Sequence, residues 1–327
     1  MSFNTYFSAS APEQQYIINT VGAFGGSGGG GSLPSGTNYS DYLYWNNTSW
    51  AVETGTKVHI GQNAGQISQG LATVSIGYLA GQSTQGLGSV AIGSYAGQST
   101  QGQNSIAIGI VAGNQSQGIG CIGIGSSAGQ TNQGTQSIAI GSGAGSISQG
   151  QICIAIGSSA GSNNQLDNSI SIGSLAGKDC QQSYAISIGD ESGRWRQGAK
   201  SVAIGARAGN TGQGSDSVAI GYQAGYLEQE NFTIAIGQNA GYSSQQTGCV
   251  AIGTLAGYYS QNEYSVAIGY QAGNASQNMY SVAIGLNTAA NFQGTGAVAI
   301  GVSSGVNYQG MKSVAIGSQA GAFFQGT

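Results

Sequence analysis

An Ile-Gly pair recurs every sixteen residues from Ile60-Gly61 to Ile316-Gly317, seventeen times, with no insertion or deletion. A period that strict marks a solenoid of one repeated coil, not a globule whose elements vary in length. With the glycine of the pair as position 0, position −3 is Val or Ile and position −1 is Ile in all seventeen copies. Position −2 is Ala in twelve copies, and +3 is Ala in fourteen. Gly stands at +4 in sixteen, Ala289 being the exception, and at +9 in eleven. Position +8 is Gln without exception: Gln69, Gln85, Gln101, Gln117, Gln133, Gln149, Gln165, Gln181, Gln197, Gln213, Gln229, Gln245, Gln261, Gln277, Gln293, Gln309 and Gln325.

The Val-Ala-Ile stretch alternates with period two and is rich in β-branched residues, so it reads as a short strand. Its −3 and −1 side chains share one face, and −4 and −2 share the other. Glycines at 0, +4 and +9 mark turns or close backbone approach. Sixteen residues accommodate two short strands and two bends, whereas a helical repeat needs about 20 or more. The expected fold is all-β: a narrow parallel β-solenoid of 17 coils over residues 57–327. At about 4.8 Å per coil the repeats would span roughly 80 Å.

Stacked coils place like on like. The Val/Ile and Ile columns are expected to form an apolar spine. The glutamines are expected to form an amide ladder lying at least partly inside, because a surface Gln has no reason to recur in every coil. Ser or Cys at −4 and Ala at −2 make a small face, which suits close approach of another chain. Side-by-side association in threes is the most economical expectation for so thinly cored a roll.

Copies such as Ser201-Val202-Ala203-Ile204-Gly205 followed by Ala208 resemble the head repeats of YadA-type trimeric autotransporter adhesins. That resemblance, over residues 57–327, implies a homotrimer of left-handed parallel β-rolls that binds host surfaces. The sequence departs from the family's period of about fourteen by its added Gln-Gly, and it shows no signal peptide, coiled-coil stalk or C-terminal membrane barrel. The autotransporter route is therefore not expected. Repeats of this sixteen-residue kind, behind the lead-in Tyr42-Leu43-Tyr44-Trp45-Asn46-Asn47-Thr48-Ser49-Trp50, also resemble fibre proteins of large DNA viruses and phage tails.

Ahead of the repeats, residues 1–24 read as an anchor or tail that docks on a particle base. Residues 25–37 read as a Gly/Ser-rich linker, and residues 38–56 as a Trp/Tyr-rich cap. Trp45 and Trp50 at one end, and Phe323 and Phe324 at the other, are candidate end contacts. An open coil end is a template for further strand pairing.

Chemistry is poorly represented. The single histidine, His59, and four cysteines suit no metal site or nucleophilic triad, and neither cofactor nor enzyme activity is expected. Cys121, Cys153 and Cys249 occupy the −4 position as small fillers, too far apart to pair, which fits synthesis in a reducing cytosol without a signal peptide. Seven Lys and Arg in a chain of net charge −4 argue against nucleic acid as partner. No apolar run is long enough to span a membrane. Two regions break the uniformity. Asp167 to Glu230 carries twelve of the eighteen charged residues, with Asp190, Glu191, Arg194, Trp195, Arg196 and Lys200 close together. Eight of the twelve repeat-region tyrosines lie from Tyr222 to Tyr280. Among these, Tyr222, Tyr226, Tyr242, Tyr258 and Tyr270 are the candidate receptor-binding residues. Tyr226, Tyr242 and Tyr258 share position +5 and should form an exposed column.

The expected function is a structural fibre on a virus or phage-like particle, attaching it to a glycan or protein of a host surface. The alternative is an extracellular filament or matrix protein formed by end-to-end stacking of coils.

Overall fold

The computed structural model describes residues 34–46, 48–53 and 55–326. The expected anchor, residues 1–24, and most of the linker lie outside them. The chain divides between Val58 and His59 into two units. In the first, an antiparallel hairpin pairs Tyr42–Trp45 with Trp50–Glu53. Trp45 and Trp50 face each other across it, edge to face at 5.8 Å. Asn46 closes the turn, its Oδ1 accepting from the backbone N–H groups of Thr48 and Ser49.

The second unit is the solenoid. Its first ladder holds 17 three-residue strands, from Val58–Ile60 to Val314–Ile316. Each pairs in parallel with its equivalent sixteen residues on, as in Val202↔Val218, Ala203↔Ala219 and Ile204↔Ile220. The pairing steps from coil to coil and ends at Val314–Ile316 on Val298–Ile300. It is thus an open ladder: no pairing among the described residues joins its last strand to its first. The second ladder holds 15 strands ending on the repeat Gln, and single bridges at Gln69↔Gln85 and Gln309↔Gln325 extend it to the outer coils.

The bends are laddered as well. In one coil, Gly205 N donates to Ile188 O (2.8 Å), Arg207 N to Asp190 O (2.8 Å), Gly209 N to Ala224 O (2.9 Å) and Asp216 N to Ala199 O (2.9 Å). Backbone groups thus find partners in neighbouring coils at strands and turns alike, as buried amides must. One extra residue would displace every such pair, which explains the invariant period.

The burial of the strand faces is the reverse of what the sequence suggests. Ala at −2 and Ser or Cys at −4 are fully buried inside the roll, together with Ala at +3. The interior clusters contain alanine alone. Val at −3 and Ile at −1 point outward and stay partly exposed, Ile188 and Ile204 at 37% each. The reason is geometric. The two sheets lie too close for two layers of large aliphatics, and the cross-section is completed by the Gln side chains instead. Among the described residues, the largest fully buried side chains are all glutamines.

Two glycines make that cross-section possible. Position 0 has φ between 120° and 133°, outside the range of L side chains. A Cβ on Gly205 would lie 2.7 Å from Gly221 O, in the next coil. Position +4 has φ near 50°, and a Cβ on Gly209 would meet Gln213 Oε1 at 2.6 Å. That glycine clears the path of the buried amide. Gly317 has a similar φ of 120°, but a Cβ added there would meet nothing within 4 Å. Gly205→Ala should therefore destabilise by about 3 kcal/mol, and Gly317→Ala by only about 1–2 kcal/mol of backbone strain. Urea titration of the two variants separates strain from clash.

Candidate binding surface

The glutamine column forms the inner wall behind the outward-facing positions +5 to +7. Gln197 has a full set of partners: Nε2 donates to Ile186 O (2.9 Å) across the roll and to Gln213 Oε1 (3.3 Å) in the next coil. Its Oε1 accepts from Gln181 Nε2 (3.0 Å) and Ser187 Oγ (2.5 Å). Where the Gln-to-Gln bond is missing, the amide turns to the −4 carbonyl of the next coil, as Gln133 Nε2 does to Ser137 O (3.0 Å). Gln149 Oε1 is then left without a partner. Alternation between two acceptors keeps nearly every buried amide N–H bonded.

Outside this wall, position +5 carries a second column whose chemistry changes along the solenoid. It opens with amides in a half-exposed ladder: Gln82 Nε2 donates to Gln66 Oε1 (3.2 Å), Gln98 to Gln82 (3.1 Å) and Asn114 to Gln98 (3.0 Å). Serines follow at 146 and 162, cations at Lys178 and Arg194, then Asn210 and the three tyrosines.

The tyrosine rings stack. Tyr226 and Tyr242 lie 5.1 Å apart at 17°, Tyr242 and Tyr258 4.8 Å apart at 20°. Tyr259 meets Tyr258 edge-on at 4.3 Å. The rings are half-buried, not fully exposed as expected, because each covers its neighbour's face. What they offer solvent is a row of edges and hydroxyls. Burial, and then the neighbouring phenols, raise the pKa of Tyr242 and Tyr258 above that of an ordinary phenol. Tyr222 and Tyr270 lie apart from this row, at position +1, exposed at 47% and 49%. No ring contact among the described residues joins them to it.

Reasoning from the sequence missed a further stacked pair, Tyr264 and Tyr280 at 5.7 Å and 5°. Both occupy position +11, so the repeat frame contained the signal. Gly248 stands one coil before Tyr264 in the same column, and the Tyr264 ring fills the space a Cβ there would need. Near the last coils Phe292, Tyr308 and Phe324 form a third row at +7, spaced 5.5 and 5.0 Å, with Phe323 exposed beside it. The charged belt is organised around Glu191, which accepts from Arg194 Nη1 (2.8 Å) and Arg207 Nε (2.9 Å).

Cys121, Cys153 and Cys249 are free and buried; Cys180 is free and exposed. Each buried thiol donates to a carbonyl of the next coil, as Cys121 Sγ does to Gly134 O (2.8 Å), where Ser137 Oγ donates to Gly150 O in an equivalent bond. Burial pushes these three thiols up. A thiol whose folded pKa exceeds its unfolded value stabilises fully at lower pH and loses that contribution as pH rises towards the folded pKa, because the unfolded chain deprotonates first. Stability should therefore start to fall above about pH 8.5, and Tyr242 and Tyr258 should add to the fall above about pH 10. Urea midpoints between pH 7 and pH 10.5 test this; replacing the three cysteines by Ser should remove the earlier phase only.

No group of three or more potential metal ligands occurs among the described residues. No described helix is long and apolar enough to cross a membrane. The family model for the YadA head domain repeat matches residues 260–288, 277–304 and 293–320. The chain carries YadA-type head repeats. The matched coils have the same two ladders, buried alanines and outward Val/Ile columns as the coils before them. Neither a curated protein nor a solved structure matches the chain. The YadA head repeat and the solenoid that it builds here point to an adhesin-like structural role.

Proposed function

We propose that this protein is a trimeric fibre, displayed on a virus or phage-like particle and used to attach it to a host surface. The observation that carries the reading is the pair of outward Val/Ile and Ile columns, running the length of a roll whose interior is already filled. Apolar columns of that length have to be covered, since contiguous exposed apolar surface marks an interaction site. YadA-type heads assemble as trimers, and three identical faces meeting along one axis would cover all the columns at once. The association surface is then the Val/Ile face, not the small Ser/Ala face that the sequence suggested. Residues 1–24 would hold the fibre to the particle, and the tyrosine-bearing ridge would face the host.

Recognition by the ridge would run through phenol edges and hydroxyls, which suits hydrogen bonding to a surface glycan or protein. Replacing Tyr226, Tyr242 and Tyr258 together by Ser should reduce attachment of the purified chain to host cells at least tenfold, with the melting temperature changed by only a few degrees. Unchanged attachment would remove the row from the binding surface. Electron microscopy of the purified chain gives discrete rods on this reading; indefinite filaments would replace it with end-to-end assembly.

A further inference from the structure

Five of the seven Lys and Arg residues fall between Lys178 and Arg207, against three acidic residues in the same stretch. The local balance is 5 − 3 = +2 in a chain of net charge −4. Trp195, the single tryptophan of the repeat region, lies among them at 39% exposed. Lys178 Nζ sits 5.3 Å from its ring centroid and Arg194 Cζ 5.1 Å.

The way these cations are held matters. An aromatic ring fixes a cation without cancelling its charge, whereas a carboxylate fixes and neutralises it. Glu191 is one carboxylate shared by two guanidiniums, Arg194 and Arg207. Asp179 reaches Lys178 only at 3.8 Å, and Nε of Arg194 has no acceptor. Arg196, exposed on the same strand, has no ion pair among the described residues. Two carboxylates, Asp179 and Glu191, thus face the four cations Lys178, Arg194, Arg196 and Arg207, and positive charge is left in excess beside an exposed indole.

The zone is also short. It spans the coils of Gly173, Gly189 and Gly205, about 10 Å along the axis. Asp167 precedes it, and Asp216, Glu228 and Glu230 follow it. A cationic zone of three coils is too short for a long polyanion running along the solenoid and suits a ligand with one anionic group. An exposed indole for apolar contact, beside cations for a single carboxylate, is the chemistry that recognises an acidic sugar.

We propose that Lys178, Arg194 and Trp195 form a binding site for a carboxylated sugar at the end of a glycan, with Arg196 at its edge. The site is separate from the tyrosine row. It names a ligand class for the attachment reading and rests on that reading only for its biological use, since binding is measured on the purified chain.

The test is an NMR titration of the full chain with sialyllactose, using lactose as the neutral control. Sialyllactose should bind with a Kd on the order of 1 mM, weakening as salt rises, and lactose at least tenfold more weakly. Lys178→Gln and Arg194→Gln should each lower affinity at least fivefold at unchanged melting temperature. Replacement of the three stacked tyrosines should leave it unchanged. If Arg194→Gln disturbs its coil through Glu191, Lys178→Gln alone decides. Equal binding of lactose, absence of binding at 20-fold the expected Kd (~20 mM), or insensitivity to Lys178→Gln would overturn the proposal. So would tighter binding of a heparin fragment, which would make the zone a polyanion surface, or of a Glu-rich peptide, which would make it a protein contact.

Discussion

If the protein is the proposed trimer, Asp at both Ile188 and Ile204 should convert it to monomers. Sedimentation equilibrium would read about 32.6 kDa in place of three times that mass. Both side chains point out of the roll, so the isolated coil tolerates the change. In a three-fold assembly on the Val/Ile face, the pair would place six carboxylates near the axis. Desolvating each costs several kcal/mol with no cation to compensate. The β signal in circular dichroism should survive dissociation. Ala203→Leu gives the opposite pattern: its Cβ lies inside the roll, fully buried, and a larger side chain there should unfold the coil instead of separating chains. A double Asp variant that stayed trimeric would move the interface to another face.

Gln197→Leu is expected to be the most damaging single substitution of similar volume. It removes one amide and takes a partner from Ile186 O, Gln213 Oε1 and Ser187 Oγ, while Gln181 Nε2 keeps Ile170 O and Ala185 O as acceptors. A buried polar group left unpaired costs about 1–3 kcal/mol, so the two acceptors together cost about 4 kcal/mol, with Ser187 free to rotate to another acceptor. Solenoid stability is a sum of coil and neighbour terms. A defect in the middle therefore divides the unit, and thermal unfolding should become biphasic. Gln98→Leu is the control. Its ladder is half-exposed, water replaces the lost partners, and the cost should stay below about 1 kcal/mol.

The repeat frame made the fold legible to the residue. Strand, turn and the invariant Gln follow from the positions of Ile, Gly and Gln alone, because every coil must stack on the next in register. Which strand face points inward did not follow. The rule that large aliphatics fill a core fails when the space between two sheets admits only alanine and one flat amide per coil. The glycines at +4 held the missing clue, since a residue lacking a Cβ opposite sixteen of the seventeen glutamines implies that the amide passes through the interior. Of the surface, the Tyr226–Tyr242–Tyr258 register was readable by position. That its rings would cover one another was not, because stacking depends on χ angles that spacing does not determine. The Trp195 site was visible as a cluster of charge, but the placement of its cations over a ring depends on side-chain directions that no spacing encodes.

Because the turns as well as the strands hydrogen bond across coils, the solenoid tolerates change in length only by whole units. A single-codon insertion would displace the ladder downstream, whereas a unit of 16 residues, or 3 × 16 = 48 nucleotides, preserves both reading frame and stacking. The reach of this protein is therefore adjustable in steps of about 4.8 Å, without disturbing the chemistry carried by the coils on either side.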